Sequence, residues 1–178
     1  MPEPPEKIDI QKLEEQIRSG PPYPGGFFKD LDLSGRDFRN ADFSASFLDK
    51  INFRGADLTG ANLSGVQLYF VDLEDADLSG ANLTGAQLHN CSLKNTNLSG
   101  AQLESLSCTE CDWAGSDWTN IDSTLNIFIK SNFDTALMEK TTLTASSFYN
   151  CTLKKIRGSG LSWTGIQFSE GSVEEAEL

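Results

Sequence analysis

Residues 76–90 read ADLSG-ANLTG-AQLHN, three five-residue units in succession with leucine at the centre of each. The unit recurs on both sides, as ADLTG-ANLSG over 56–65 and as TNLSG-AQLES over 96–105. With Leu33 taken as a centre, the stretch 31–170 divides into 28 pentads without an insertion. Twenty-five of those centres are Leu, Phe, Trp or Met, and all three tryptophans (Trp113, Trp118 and Trp163) are among them. The exceptions are Cys108, Ser123 and Gly158. Two residues before most centres stands a small or aliphatic side chain, as at Ala41, Ala56, Ala61, Val66, Val71, Ala76, Ala81, Ala86 and Cys91.

A period of five is neither the 3.6 of a helix nor the 2.0 of a strand. It fits a short strand that turns a corner every fifth residue. The centre and the residue two before it point inward. The residue just before the centre and the two after it point outward, the last two making the corner. Glycine is frequent at the second of these, where the chain needs unusual backbone angles. The Asp, Asn or Gln just before the centre faces water and can hydrogen-bond nearby backbone.

These A(D/N)LXX units resemble the pentapeptide-repeat family, and the resemblance covers the whole stretch 31–170. It implies an all-β fold, a right-handed quadrilateral β-helix with four pentads per coil, so that each pentad stacks on the fourth one after it. Twenty-eight pentads then make about seven coils and a rod of roughly 34 Å at ~4.8 Å per strand layer. Each coil touches only its neighbours, so the ends need capping. Residues 9–18 (DIQKLEEQIR) read as a short amphipathic helix, with Asp9 as N-cap and Ile10, Leu13 and Ile17 on one side. Gly20 and the PPYPGG run stop it. The expected organisation is an N-terminal capping helix and Pro/Gly linker over 1–25, a solenoid over 26–170 and an acidic tail over 171–178. Trp163 and Phe168 close the last coil with no second helix to cover them. A homodimer through that C-terminal coil is the expected seal.

Stacking each pentad on the fourth one after it makes the four walls comparable. One wall has centres Leu48, Leu68, Leu88, Cys108, Phe128, Phe148 and Phe168, and its outward residues are rich in aromatic and aliphatic side chains. Phe47, Tyr69, Phe70, Ile127, Ile129 and Tyr149 form its candidate partner-binding set, and His89 is another outward residue of the same wall. The other three walls carry mainly Asp, Asn, Ser, Thr, Gly and Lys. Residues 121–130 (IDSTLNIFIK) are the weakest pentads, because Ser123 replaces a centre while Leu125, Ile127 and Ile129 fall on outward positions. A departure from the regular coil is expected there.

Fourteen basic against 26 acidic residues give a net charge of −12, which argues against nucleic acid or an anionic membrane as partner. The opening MPEPPEK has no basic and then apolar run of a secretory signal, so the cytoplasm is the expected location. Some members of the family mimic DNA and bind DNA gyrase, protecting it from quinolones. The column Asp37, Asp57, Asp77, Asn97 and Asp117 raises that alternative. Duplex DNA of the rod's length carries about 20 charges, far more than the repeat block, and the column turns apolar and basic at Leu137 and Arg157. Cys91, Cys111 and Cys151 share one inward column and Cys108 is a centre. The C-x-x-C of Cys108 and Cys111 is read as buried small apolar thiols rather than as a disulfide or a zinc site. No catalytic set, cofactor or metal motif is read, and a filled convex rod offers no concave pocket. The expected role is a non-catalytic protein–protein interaction or scaffold/regulatory module with a protein partner. The regular ADLSG-ANL repeats resemble those of bacterial, notably cyanobacterial, members.

Overall fold

The structure, a computed structural model, describes residues 25–177. Its backbone is set by one recurring torsion. Every fifth residue from Gly25 to Glu175 has a positive φ, and no other described residue does. These are the corner positions. Eleven are glycine, and most of the rest are Asn, Asp, Lys, Ser, Ala or Glu. Glycine enters this region without steric cost and Asn or Asp does so easily.

Between corners the chain is extended, and each extended segment pairs in parallel with the segment four pentads on, as Phe47 does with Gln67. On one wall the pairing is wide enough to form three-residue strands: β1 (Phe27–Lys29), β2 (Phe47–Asp49), β3 (Gln67–Tyr69), β4 (Gln87–His89), β5 (Ser107–Thr109), β7 (Ile127–Ile129), β9 (Ser147–Tyr149) and β11 (Gln167–Ser169). They make one eight-stranded parallel sheet in the order β1-β2-β3-β4-β5-β7-β9-β11. On the wall preceding it, β6 (Asp122–Thr124), β8 (Thr142–Thr144) and β10 (Ser162–Thr164) form a three-stranded sheet. The remaining walls are ladders of single bridges, such as Asp32↔Asn52↔Asp72 and Asp37↔Asp57↔Asp77. Parallel strands ordinarily need a long crossover; here the crossover is the other three walls. The result is a parallel β-solenoid of about seven turns, the four-sided coil that the resemblance to the pentapeptide-repeat family implied.

The core is the stack of centres with the small inward residues between them. Phe38, Phe43 and Phe53 pack edge to face in the first coils, with centroids 5.6–5.9 Å apart. Leucines fill the middle. Trp113, Trp118, Phe128, Phe133 and Phe148 form a second aromatic group. All of these side chains are buried. The Asp and Asn just before the centres make local turns: Asp77 accepts the Ser79 N–H (2.9 Å) and Asn82 the Thr84 N–H (3.0 Å). Between coils, the Asn52 amide donates to Asp32 (2.9 Å) and the Asn132 amide to Asp112 (3.0 Å). Alternating Asn with Asp turns a like-charge column into a hydrogen-bonded one.

Two expectations meet the structure differently, and a third falls outside it. The helix over 9–18 lies outside the described residues. Residues 171–177, expected as a tail, continue the ladder: Ser172 donates to the Cys151 carbonyl (3.0 Å) and Glu177 to the Ile156 carbonyl (2.9 Å). Backbone pairing is indifferent to the acidity of the side chains, and Lys154 and Lys155 pair with Glu174 (3.4 Å) and Glu175 (3.5 Å). Residues 121–130 keep the four-pentad register, with Ser123 opposite Leu143 and Phe128 opposite Cys108. What changes there is the corner. At Ser46, Val66, Ala86 and Leu106 the inward amide donates to the preceding centre's carbonyl, as Leu106 does to Leu103 (3.1 Å). The Asn126 amide instead donates to Ser146 Oγ (3.1 Å), and the wall widens from single bridges to strands.

Candidate functional site

The outer face of the eight-stranded sheet is where large apolar side chains reach solvent. Phe27, Phe70, Leu125, Ile127 and Tyr149, five of the seven exposed large hydrophobic residues among those described, lie on this face or at its two edges. Phe168 and Val173 occupy inward centre positions and are exposed at the C-terminal end of the rod. All six residues expected as the binding wall (Phe47, Tyr69, Phe70, Ile127, Ile129 and Tyr149) are on it, in two groups.

The first group is an axial stack of rings. Phe27 and Phe47 lie face to face at 5.2 Å and 3°. Phe47 continues to Tyr69 at 5.2 Å and 27°, and Tyr69 to His89 at 5.0 Å and 13°. Phe47 is opposite Gln67 in register, so its ring leans across the strand to reach Tyr69. Phe70 sits beside Tyr69 at the corner, 55% exposed and with φ 55°. The second group crosses the rod at β7. Leu125 stands at the corner just before β7, Ile127 and Ile129 point outward from β7 itself, and Tyr149 follows Ile129 one coil on. The Tyr149 hydroxyl donates to Glu170 (2.8 Å), and that bond holds its pKa above the ordinary tyrosine value. Ser107 and Thr109 of β5 separate the two groups.

Phe27 and Leu125 were outside the expected set. Phe27 precedes the regular block, but it stands four pentads before Phe47, and that spacing is the signal. Leu125 was read as outward, and its corner location makes it an edge of the wall.

The acidic column is partly neutralised. Arg39 pairs with Asp37 (2.7 Å) and Asp57 (3.6 Å), and the Asn97 amide donates to Asp77 (3.2 Å). All four cysteines are free and buried. The Cys91 thiol donates to the His89 carbonyl (3.4 Å) and the Cys151 thiol to the Phe128 carbonyl (3.4 Å). Burial pushes the Cys108 thiol well above its ordinary value. Among the described residues no three His, Cys, Asp or Glu side chains are arranged to hold a metal ion. A cleft of about 340 Å³ is lined by Thr135, Lys155, Arg157, Glu175 and Glu177. It is open to solvent, Lys155 is paired with Glu175, and it contains no nucleophile beside a base. No helix among the described residues is long and apolar enough to cross a membrane.

Trp163 and Phe168, the residues expected at a dimer end, both pack on Phe148, at 6.1 Å and 6.4 Å. Trp163 is half-buried and its indole N–H is enclosed without an acceptor. Phe168 lies against Gly171, where a Cβ would collide with its ring and with the Cys151 carbonyl.

The family model described as pentapeptide repeats matches residues 37–75 and 72–105, in eight copies. No curated protein matches the sequence. Among solved structures, a pentapeptide repeat protein of the Arabidopsis thaliana thylakoid lumen is 36% identical, with a TM-score of 0.50, over 53% of this chain and 68% of that one. Full-length QnrB1, a plasmid-mediated fluoroquinolone resistance protein, superimposes with a TM-score of 0.53 over 86% of each chain at 18% identity, a likeness of fold alone.

Proposed function

Because this chain belongs to the pentapeptide-repeat family, we propose that it works as a non-catalytic protein-binding scaffold whose docking wall is the outer face of the eight-stranded sheet. The observation that carries this reading is the gathering of exposed apolar side chains along the side of the rod onto that wall and its edges, the remaining two, Phe168 and Val173, being at the C-terminal end. Ordinary surfaces scatter such residues singly, whereas a gathered patch on a rigid flat face is what a partner buries. Replacing Tyr69 and Ile129 together by Ser removes one anchor from each group without touching the core. The double variant is expected to lose the partner in affinity capture from the native cell extract while its thermal unfolding stays unchanged. Undiminished capture rejects the wall.

The competing reading is a DNA mimic that binds DNA gyrase. It draws on Asp57, Asp77 and Asp117, but Arg39 and Asn97 break that column into short pieces. Purified protein at micromolar concentration is expected to leave gyrase supercoiling unaffected; inhibition would transfer the function to the acidic wall. We further infer that two copies pair end to end through the coil that contains Trp163 and Phe168.

A further inference from the structure

Three thiols meet inside the middle of the rod. One inward column reads Cys91, Cys111, Ser131 and Cys151 in successive coils. The bridge Ser92↔Asp112 and the bond from the Asp112 N–H to the Cys91 carbonyl (3.0 Å) set Cys111 directly against Cys91, one coil on. The Cys111 sulfur also has Cys108 beside it, the centre just before the same corner. Cys91, Cys108 and Cys111 are all buried. Cys151 is separated from Cys111 by the coil that holds Ser131.

Neighbouring parallel strands lie ~4.8 Å apart, so the Cys91 and Cys111 Cα atoms fall inside the range of roughly 4.4–6.8 Å that a disulfide spans. Bridging them leaves every centre in place. The rival C-x-x-C pair does not, because Cys108 is stacked between Leu88 and Phe128. Drawing its sulfur toward Cys111 opens a void in a packed column. The two column sulfurs give up little on bridging: Cys91 donates to the His89 carbonyl at 3.4 Å and Cys111 to the Thr109 carbonyl at 3.5 Å, and a thiol is a weak donor. The Cys108 and Cys91 thiols beside it hold Cys111 below the ordinary thiol value. Its own presence pushes Cys91 up, and burial pushes Cys108 up. Cys111 is therefore the first of the three to become the nucleophilic thiolate.

We propose that Cys111 and Cys91 form a disulfide staple between two successive coils when the protein meets hydrogen peroxide. Burial selects this oxidant, since a bulky disulfide cannot seat against sulfurs in a filled core, whereas peroxide is little larger than water. The Cys111 thiolate attacks one peroxide oxygen, the O–O bond breaks, and the released hydroxide takes up the thiol's proton as water. The Cys91 sulfur then attacks the Cys111 sulfenic acid. The S–S bond forms, the S–O bond breaks, and the departing hydroxide leaves with the Cys91 proton as a second water. The two thiols lose two electrons in all, and one peroxide is reduced to two waters. The staple lies behind the corners that follow β4 and β5, where the ring stack ends at His89. It ties the coils there against local opening and does not depend on what docks on the wall.

The test uses the full chain, reduced, freed of reductant and treated with hydrogen peroxide at pH 7. Thiols counted after denaturation are expected to fall from four to two, and the intact mass to fall by two hydrogens. Cleavage after Glu110, which separates Cys108 from Cys111, should release linked peptides that hold Cys91 and Cys111. The urea midpoint should rise on oxidation and return to that of the untreated chain when dithiothreitol is present. Cys108→Ala should leave the link in place, and Cys111→Ala should abolish it. Cys91→Ala should stop at a Cys111 sulfenic acid that a dimedone probe traps, a signal that loosened packing alone does not produce. The thiol count and the peptide map need no variant, so a substitution that misfolds leaves the result standing. Four thiols still free after treatment overturn the staple. A Cys108–Cys111 link, a link between two chains, or added oxygen without any link overturns it equally.

Discussion

Phe70 and Leu125 violate two rules at once. Each is a large apolar side chain exposed to solvent, at 55% and 61%, and each has the left-handed backbone that the corners impose, with φ 55° and 59°. For a non-glycine residue this conformation costs roughly 1–2 kcal/mol, and Asn tolerates it better than Leu does. Sites that retain such a cost are often functional ones, and both residues flank the proposed docking wall. Leu125→Asn is accordingly expected to stabilise the isolated chain by about 0.5–1 kcal/mol in urea unfolding while weakening partner capture. A destabilised variant would show that Leu125 contributes to folding instead. Cys108 is the opposite case, fully buried at a centre where its thiol must remain neutral. Its folded pKa is raised, so its contribution to stability is present below the unfolded thiol value of about 8.5 and is lost as pH rises above it. The urea midpoint should fall between pH 8 and pH 10.5, and Cys108→Ala should show a shallower fall. Native protein at pH 8 should react with a thiol reagent far more slowly than the denatured chain, whose four cysteines are all open; equal rates would mean that the core admits solvent.

At the scale of the element, Ser123 and Asn126 explain each other. Ser123 occupies a centre and Asn126 an inward position, and both are fully buried. The Asn126 side-chain amide donates to Ser123 Oγ (2.7 Å), its oxygen accepts the Leu106 N–H (3.0 Å), and its own N–H donates to Ser146 Oγ (3.1 Å). This bonded group sits where the wall changes from single bridges to the β6–β8–β10 sheet. Asn126→Ala should cost about 2–3 kcal/mol, because it leaves buried partners unsatisfied. Ser123→Ala in that background should cost much less than it does alone, and additive losses would deny the coupling. The coil itself was legible in the sequence, since a strict five-residue period needs only apolar centres and permissive corners. The deviation expected at 121–130 arose from Ser123 at a centre and from Leu125, Ile127 and Ile129 on outward positions, without the pairing of Ser123 to Asn126. Their complementarity depends on side chains meeting across the interior, and the pattern of apolar residues does not encode that. The apolar wall was legible as columns, whereas the ring stack was not. Phe47 and Tyr69 lie in different columns and meet only because Phe47 leans diagonally.

For the whole molecule, stability is a sum of neighbouring-coil contacts, so the ends decide how molecules meet. The coil built from Leu161, Trp163, Ile166 and Phe168 is the one in which centres are no longer buried. Phe168 is 39% exposed and Val173 47%, and the Trp163 N–H is enclosed without an acceptor. An apolar end of this shape is covered most simply by an identical one, in a two-fold contact where each patch meets its own copy. The rim works against that contact. Glu170, Glu174, Glu175 and Glu177 surround the end, and although Lys154 and Lys155 offset two of them, pairing brings two acidic rims together. Salt screens exposed charges of this kind and strengthens apolar association only slightly. Dimerisation should therefore tighten as sodium chloride is raised from 50 to 500 mM, opposite to the trend for a contact held by ion pairs. Phe168→Asp would place a charge in the apolar centre and should weaken the dimer by at least about tenfold, with light scattering following both effects. A chain that stays monomeric at high protein concentration and high salt sinks the end-to-end dimer. It would leave the sheet wall untouched, because that wall runs along the side of the rod and remains open whether or not the end is closed.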